Sequence, residues 1–190
     1  KHLSSQFDSE LSAVSTRVME MGGVVESQIR TAVYALSQFS AEAADQVVEI
    51  ETRVNLMEVE IDRELSTIIA RRQPTARDLR LLISISRTIA NLERVGDEAA
   101  RIARMVQRLL NSGVSSRMRL PVTDLQFASE LAIRQLRKAL DAFELLLGGA
   151  PQLLPCDAAW TALSDYTAVE FTPALLSNLQ AQMRLAAPGD

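Results

Sequence analysis

The 190-residue chain predicts an all-α protein made of tandem three-helix bundles, the second of them shortened or divergent. Two observations give the class. Apolar residues recur at steps of three and four over long stretches, and Gly and Pro fall between those stretches in a chain with only 4% aromatics. A third gives the tandem arrangement: a nine-residue pattern occurs twice, about one bundle apart.

The first helix is predicted from about Ser9 to Ser37, with Leu11, Val14, Val18, Met21, Val25, Ile29, Val33 and Leu36 forming one apolar stripe. Adjacent Gly22 and Gly23 lie inside it, where missing side chains permit close packing or a bend. The second helix runs from about Ala41 to Arg71 and stops at "RRQPT", because Pro74 disfavours helical geometry at Gln73. Thr75 then caps a third helix, with Asp78 placed for an arrangement close to a capping box and for the positive end of the dipole. That helix continues to about Leu110 and ends in "NSG", where Gly113 supplies a left-handed stop. Three long helices with tight connections make an up-down-up bundle over residues 1–113.

The repeated pattern is Q-[IL]-R-x-A-[VL]-x-A-[LF], found as "QIRTAVYAL" from Gln28 and "QLRKALDAF" from Gln135, 107 residues apart. Residues 114–190 therefore read as a second, incomplete helical repeat. It should hold one long helix through Phe143, a loop around "GGAPQLLPCD", and shorter helical pieces split at Thr172–Pro173. The repeat offset carries Glu93 past Asp190, and it carries Glu58 and Asp62 onto Asp165 and Val169, so a second acidic site is not expected. An incomplete second copy leaves Leu145, Leu146, Leu175, Leu176 and Leu179 short of partners, which predicts a homodimer or contact with a membrane-protein partner.

Bulk properties narrow the function. A net charge of −4 argues against general nucleic-acid binding. No run approaches the ~20 apolar residues of a spanning helix, and "KHLSSQFDSE" does not read as a signal peptide. A lone cysteine, Cys156, forms no intrachain disulfide, which fits a reducing compartment. It has no histidine beside it, and the one histidine, His2, is terminal, so neither a Cys/His nor a Ser/His/Asp nucleophile can be assembled. A di-iron site built from Glu-x-x-His pairs is excluded for the same reason, and no glycine-rich phosphate loop is present.

What remains is acidic. On a helical wheel, Glu51, Asn55 and Asp62 fall within about 60° of Glu58, beside the apolar stripe of the second helix. Glu93 and Asp97 take the matching position on the third, with Arg101 a turn further on and Gly96 between the two acids. Each helix thus carries an E-x-x-x-D pair on the flank of its core stripe, and antiparallel packing could bring the pairs together. Converging carboxylates suit a hard cation with oxygen ligands. The competing possibility is a solvated flank neutralised by Arg53, Arg94 and Arg101 in surface pairs worth little.

At "RRQPTARDLRLLISISRTIANLERVGDEAARIA", with "VNLMEVEID" upstream, the chain resembles the PhoU family of phosphate-transport regulators, whose sequences carry a QP-x-A-x-DLR turn followed by LERIGD. The resemblance is close over about Leu11 to Ser112 and looser through Phe143. It implies two tandem three-helix bundles whose E/D-x-x-x-D motifs bind iron or other metals. On matching positions it implies a metal site of Asn55, Glu58, Asp62, Glu93 and Asp97, which Glu51 joins on the wheel argument alone. The ion could be iron, zinc, manganese or magnesium. It further implies a cytoplasmic, non-enzymatic negative regulator of the phosphate regulon, linking a phosphate-specific ABC transporter to a phosphate-sensing histidine kinase. The alternative is a metal-binding or storage bundle with no phosphate-signalling partner.

Overall fold

The computed structural model describes residues 2–113 and 120–147. They form four helices: α1 His2–Gln38, α2 Ala41–Arg72, α3 Ala76–Asn111 and α4 Val122–Leu147. No strand occurs among the described residues. The pieces expected beyond Leu147, with Cys156, Asp165, Leu175, Leu176 and Leu179, lie outside the described residues, as does the side chain of Leu146.

α1, α2 and α3 pack on one another as an antiparallel bundle. Its interior is the predicted stripe of α1 (Val14, Val18, Met21, Val25, Leu36) facing Val47, Val54, Ile61 and Leu65 of α2 and Leu82, Ile85, Ile89 and Val106 of α3. Side chains of this kind contribute about 1.5–3 kcal/mol each when fully buried, which is why length and periodicity dominate the fold. Ion pairs edge the seams: Arg17 of α1 reaches Glu60 and Glu64 of α2, and Arg72 donates to Glu10 at 2.7 Å.

The connections are short enough to force antiparallel neighbours. Between α1 and α2 only Phe39 and Ser40 intervene. Phe39 takes a left-handed conformation with φ 49°, and the Ser40 hydroxyl accepts the Ala43 N–H at 3.2 Å. Between α2 and α3, Gln73 leaves the right-handed region (φ 47°) and donates its N–H to Ile69 O at 3.1 Å before Pro74. Thr75 departs from the expected cap. Its hydroxyl donates to Asp78 Oδ2 at 2.9 Å and accepts no backbone N–H. The acid is the stronger acceptor for that single hydroxyl proton. Gly113 has φ +69° after the last turn of α3, as its position predicts. α1 begins at His2, seven residues before the predicted start at Ser9; Leu11 and Phe7 still pack on the core there.

α4 packs mainly on α1, antiparallel to it. A Cβ on Gly22 would meet Leu140 Cδ1 at 2.5 Å, so that glycine is the point of closest approach, whereas a Cβ on Gly23 would meet nothing. Further along, Arg137 makes two hydrogen bonds to Glu26, and Arg30 reaches Glu130 at 2.6 Å. α1 runs unbroken through both glycines, and of the two Gly22 is the one that serves packing.

Candidate functional site

The acidic pairs lie where α2 and α3 run antiparallel. Both helices keep their apolar stripes inward, through Val54 and Ile61 on one and Ile89, Leu92 and Ala100 on the other. The adjoining flank therefore carries Glu58 and Asp62 from α2, with Glu93 and Asp97 from α3, along one seam. Glu58, Glu93 and Asp97 are half-buried, while Asp62 and Asn55 are exposed at the rim.

Burial and mutual repulsion act together on their protonation. Desolvation raises the Glu58 carboxyl above its ordinary value, and the charges of Asp62 and Asp97 raise it further. Glu93 is pushed up to about 7, first by desolvation, then by the charge of Asp97 and a hydrogen bond shared with it, with Glu58 adding to the effect. Arg94 opposes the shift without cancelling it. These four acids therefore form one electrostatic unit spanning two helices, and close to neutrality it holds a proton on Glu93.

Two arginine charges reach it: Arg94 opposes the shift of Glu93, and Arg104 interacts with the charge of Asp97. Arg101 turns to Glu98 on its own helix, at 2.7 Å. Glu51 makes an ion pair with Arg104, a residue of α3 that the wheel of α2 could not reveal. The Asp62 carboxylate accepts a hydrogen bond from Ser86 Oγ at 3.3 Å, a contact no motif announced. Among the described residues, no three Asp, Glu, His or Cys side chains close into a cage around one point. The donor set nonetheless fits a hard cation: it is oxygen-only, carries excess negative charge, and sits on facing helices.

Beneath the acids lies a residue that sequence reasoning did not assign to the site. Gln28 of α1 is 0% exposed, and its side-chain amide donates to Gly96 O at 3.1 Å and Val47 O at 3.4 Å. One signal was available. A glutamine stands among Val25, Ile29 and Ala32 on a stripe that is otherwise apolar, at the head of the repeated pattern.

A PhoU domain matches residues 18–106, the span from mid-α1 to near the end of α3 that contains the whole acidic cluster. Along 143 residues the chain is 48% identical to a phosphate-specific transport system accessory protein PhoU homolog of Burkholderia sp, covering 75% of this chain and 60% of that one. It is 43% identical to the phosphate-specific transport system accessory protein PhoU of Escherichia coli K12, covering 75% and 58%. Two crystal structures share the architecture. PhoU from Pseudomonas aeruginosa superimposes with a TM-score of 0.66 at 41% identity, over 73% of this chain and 65% of that chain. The phosphate transport system regulatory protein PhoU of Streptococcus pneumoniae gives 0.64 at 28% identity, over 73% and 63%. The chain spans about 60% of the length of the curated relatives it matches.

Proposed function

Since residues 18–106 of this chain form a PhoU domain, we propose that the protein is a non-enzymatic regulator of phosphate uptake, acting as an accessory to a phosphate-specific transport system. The observation that carries this is the 43–48% identity, over 143 residues, to proteins named for that role. No described helix is long and apolar enough to cross a membrane. On this reading the partner is an ABC transporter, met from the cytoplasmic side. A phosphate-sensing histidine kinase is the second partner on this reading, and a homodimer is its state of assembly. On the same reading residues 1–113 are the first bundle and 114–190 belong to a second repeat.

The acidic seam is the metal-binding element of this regulator. Glu58 and Asp62 from α2, with Glu93 and Asp97 from α3, would hold the ion, and Asn55 at the rim offers a neutral oxygen. A bound iron, manganese, magnesium or zinc ion supplies the counter-charge that four converging carboxylates lack. Ser86 fixes one oxygen of Asp62, and Arg104 pairs with Glu51. Glu93 must give up its proton as the ion enters, so binding should release protons near neutrality.

Two measurements test the reading. Full-length chain added to vesicles containing a phosphate-specific transporter should co-sediment with them and not with transporter-free vesicles of the same lipid; equal sedimentation with both would refute the accessory role. Elemental analysis of purified protein should find metal that the double change Glu93→Gln and Asp97→Asn abolishes without unfolding the chain. Protein free of metal before and after the change would remove the metal assignment and leave the accessory role standing.

A further inference from the structure

We propose that Gln28 is a positioning residue for the acidic seam, and that position 96 is glycine so that the Gln28 carboxamide can enter beneath it. The inference rests on the metal-site reading given above and extends it to α1, a helix that contributes no acid to the seam.

Three observations carry it. Gln28 is a buried side chain whose hydrogen bonds join all three helices of the bundle. From α1 it donates to the backbone of α2 at Val47 and of α3 at Gly96. Gly96 lies between Glu93 and Asp97, so the carbonyl it grips belongs to the turn that presents both acids of α3. Second, a Cβ at position 96 would stand 2.8 Å from Gln28 Oε1 and 3.4 Å from Val54 Cγ1. Only a glycine α-hydrogen fits in that direction, leaving Oε1 buried with no hydrogen-bond donor. A buried acceptor without a partner is costly to keep, and an apolar side chain would fill the same space without that cost. A glutamine here makes sense for what its amide holds. Third, the same residue type heads both copies of the repeated pattern, at Gln28 and Gln135.

The consequence is geometric. Helices in contact through apolar side chains alone can slide and rotate by small amounts at little cost. Two directional hydrogen bonds from a single buried amide tie the α3 turn that carries Glu93 and Asp97 to α2 at Val47, about three turns before Glu58. Four carboxylates that repel one another would otherwise push that seam open. Gln28 therefore sets the separation across which Glu58 and Asp62 face Glu93 and Asp97.

The test uses the full chain with Cys156→Ser and pairs of spin labels. One pair, at Val59 and Arg94, reports the seam. A control pair, at Thr67 and Arg80, reports the far end of the same two helices. Gln28→Met keeps length and apolar volume and removes both donors. It should broaden or shift the seam distance by about 2 Å with the control distance unchanged, and weaken Mn²⁺ binding about tenfold or more, as loss of supporting hydrogen bonds does at metal sites. Gly96→Ala, which displaces the amide from the opposite side, should give the same signature and stands in if the methionine variant does not fold. Unchanged seam distance overturns the proposal, as does an equal change in both pairs, which would make Gln28 a general stability residue. If the seam opens while Mn²⁺ binds as tightly as before, the positioning role is likewise overturned. Should the parent chain bind no Mn²⁺, the metal reading falls, and the two label pairs alone decide the role of Gln28.

Discussion

Glu93 is a carboxylate whose charge works against the fold. Its folded value of about 7 exceeds the ordinary 4.5, so between those limits the folded chain holds a proton that the unfolded chain has released. Stability therefore falls as pH rises from about 4.5 to about 7, and the full penalty is present above that. Glu93→Gln, which mimics the protonated form, should raise the melting temperature by a few degrees at pH 8 and change it little at pH 5. Melts that show a lower midpoint at pH 8 would mean the acid is paired favourably after all. A second residue-scale prediction concerns sign. Alanine in a helix normally stabilises over glycine by up to about 1 kcal/mol. Gly96→Ala should instead destabilise by about 1–3 kcal/mol, because the carboxamide of Gln28 can move only by losing its bonds to Val47 and Gly96. In a Gln28→Ala background the same change should become neutral or stabilising. Denaturant titration of the four proteins measures this, and additive effects would show the two residues do not touch. The acids Glu58, Asp62, Glu93 and Asp97 were legible in the sequence because their spacing and the apolar stripe beside them encode the face. The ion pair of Glu51 was not, since Arg104 approaches it from another helix, and no wheel of one helix records what its neighbour presents.

At the scale of elements, boundaries written in local chemistry were legible and those made by tertiary contact were not. Pro74 and Gly113 end α2 and α3 where their backbone preferences require. Phe39 in a left-handed conformation carries no such signal. Its aromatic ring packs on the core, and that contact holds a backbone that a large side chain otherwise avoids. The paired glycines of α1 show how identical residues diverge. Gly23→Ala adds helix propensity in open space and should stabilise by about 0.5–1 kcal/mol. Gly22→Ala drives a methyl group into Leu140 and should destabilise by about 1–3 kcal/mol, with its effect centred on α4. Chemical denaturation ranks the two variants, and a shared sign would refute this account of the α1–α4 contact.

Across the whole molecule, α4 depends on a narrow seam. Glu26 keeps only 18% of its side chain exposed and accepts from both Arg137 and Arg30, so this cluster should matter more than isolated surface pairs. The hydrogen bond from Arg137 is the largest cause holding the Glu26 carboxyl below its ordinary value. Its contribution is present above about pH 4.5 and is lost as pH falls through the lowered folded value. Glu26→Gln should therefore speed amide hydrogen exchange in α4 at pH 7 while α2 and α3 keep their protection, and the difference from the parent should shrink in acid. Uniform loss of protection would mean that α4 and the first bundle open as one unit. The repeated pattern, four identical and three similar residues in nine, could be read from the chain, but the docking of α4 could not, because the arginines that make it point between copies.

That docking bears on where the molecule came from. Gly22 meets Leu140, Glu26 meets Arg137 and Arg30 meets Glu130, so the helices cross at the level of Gln28 and Gln135, the matching positions of the two repeats. A pairing centred near its own equivalent points approximates the symmetry of a twofold dimer, with one departure: Arg30 meets Glu130, the counterpart of Gly23, and not Ile133, the counterpart of Glu26. In a single-copy ancestor, Arg137 would have been the Arg30 of a second subunit, and Glu26 of each chain would have gripped Arg30 of the other. Gene duplication and fusion would turn that intermolecular grip into an internal one, freeing the two halves to diverge in sequence while the contact between them kept its original geometry.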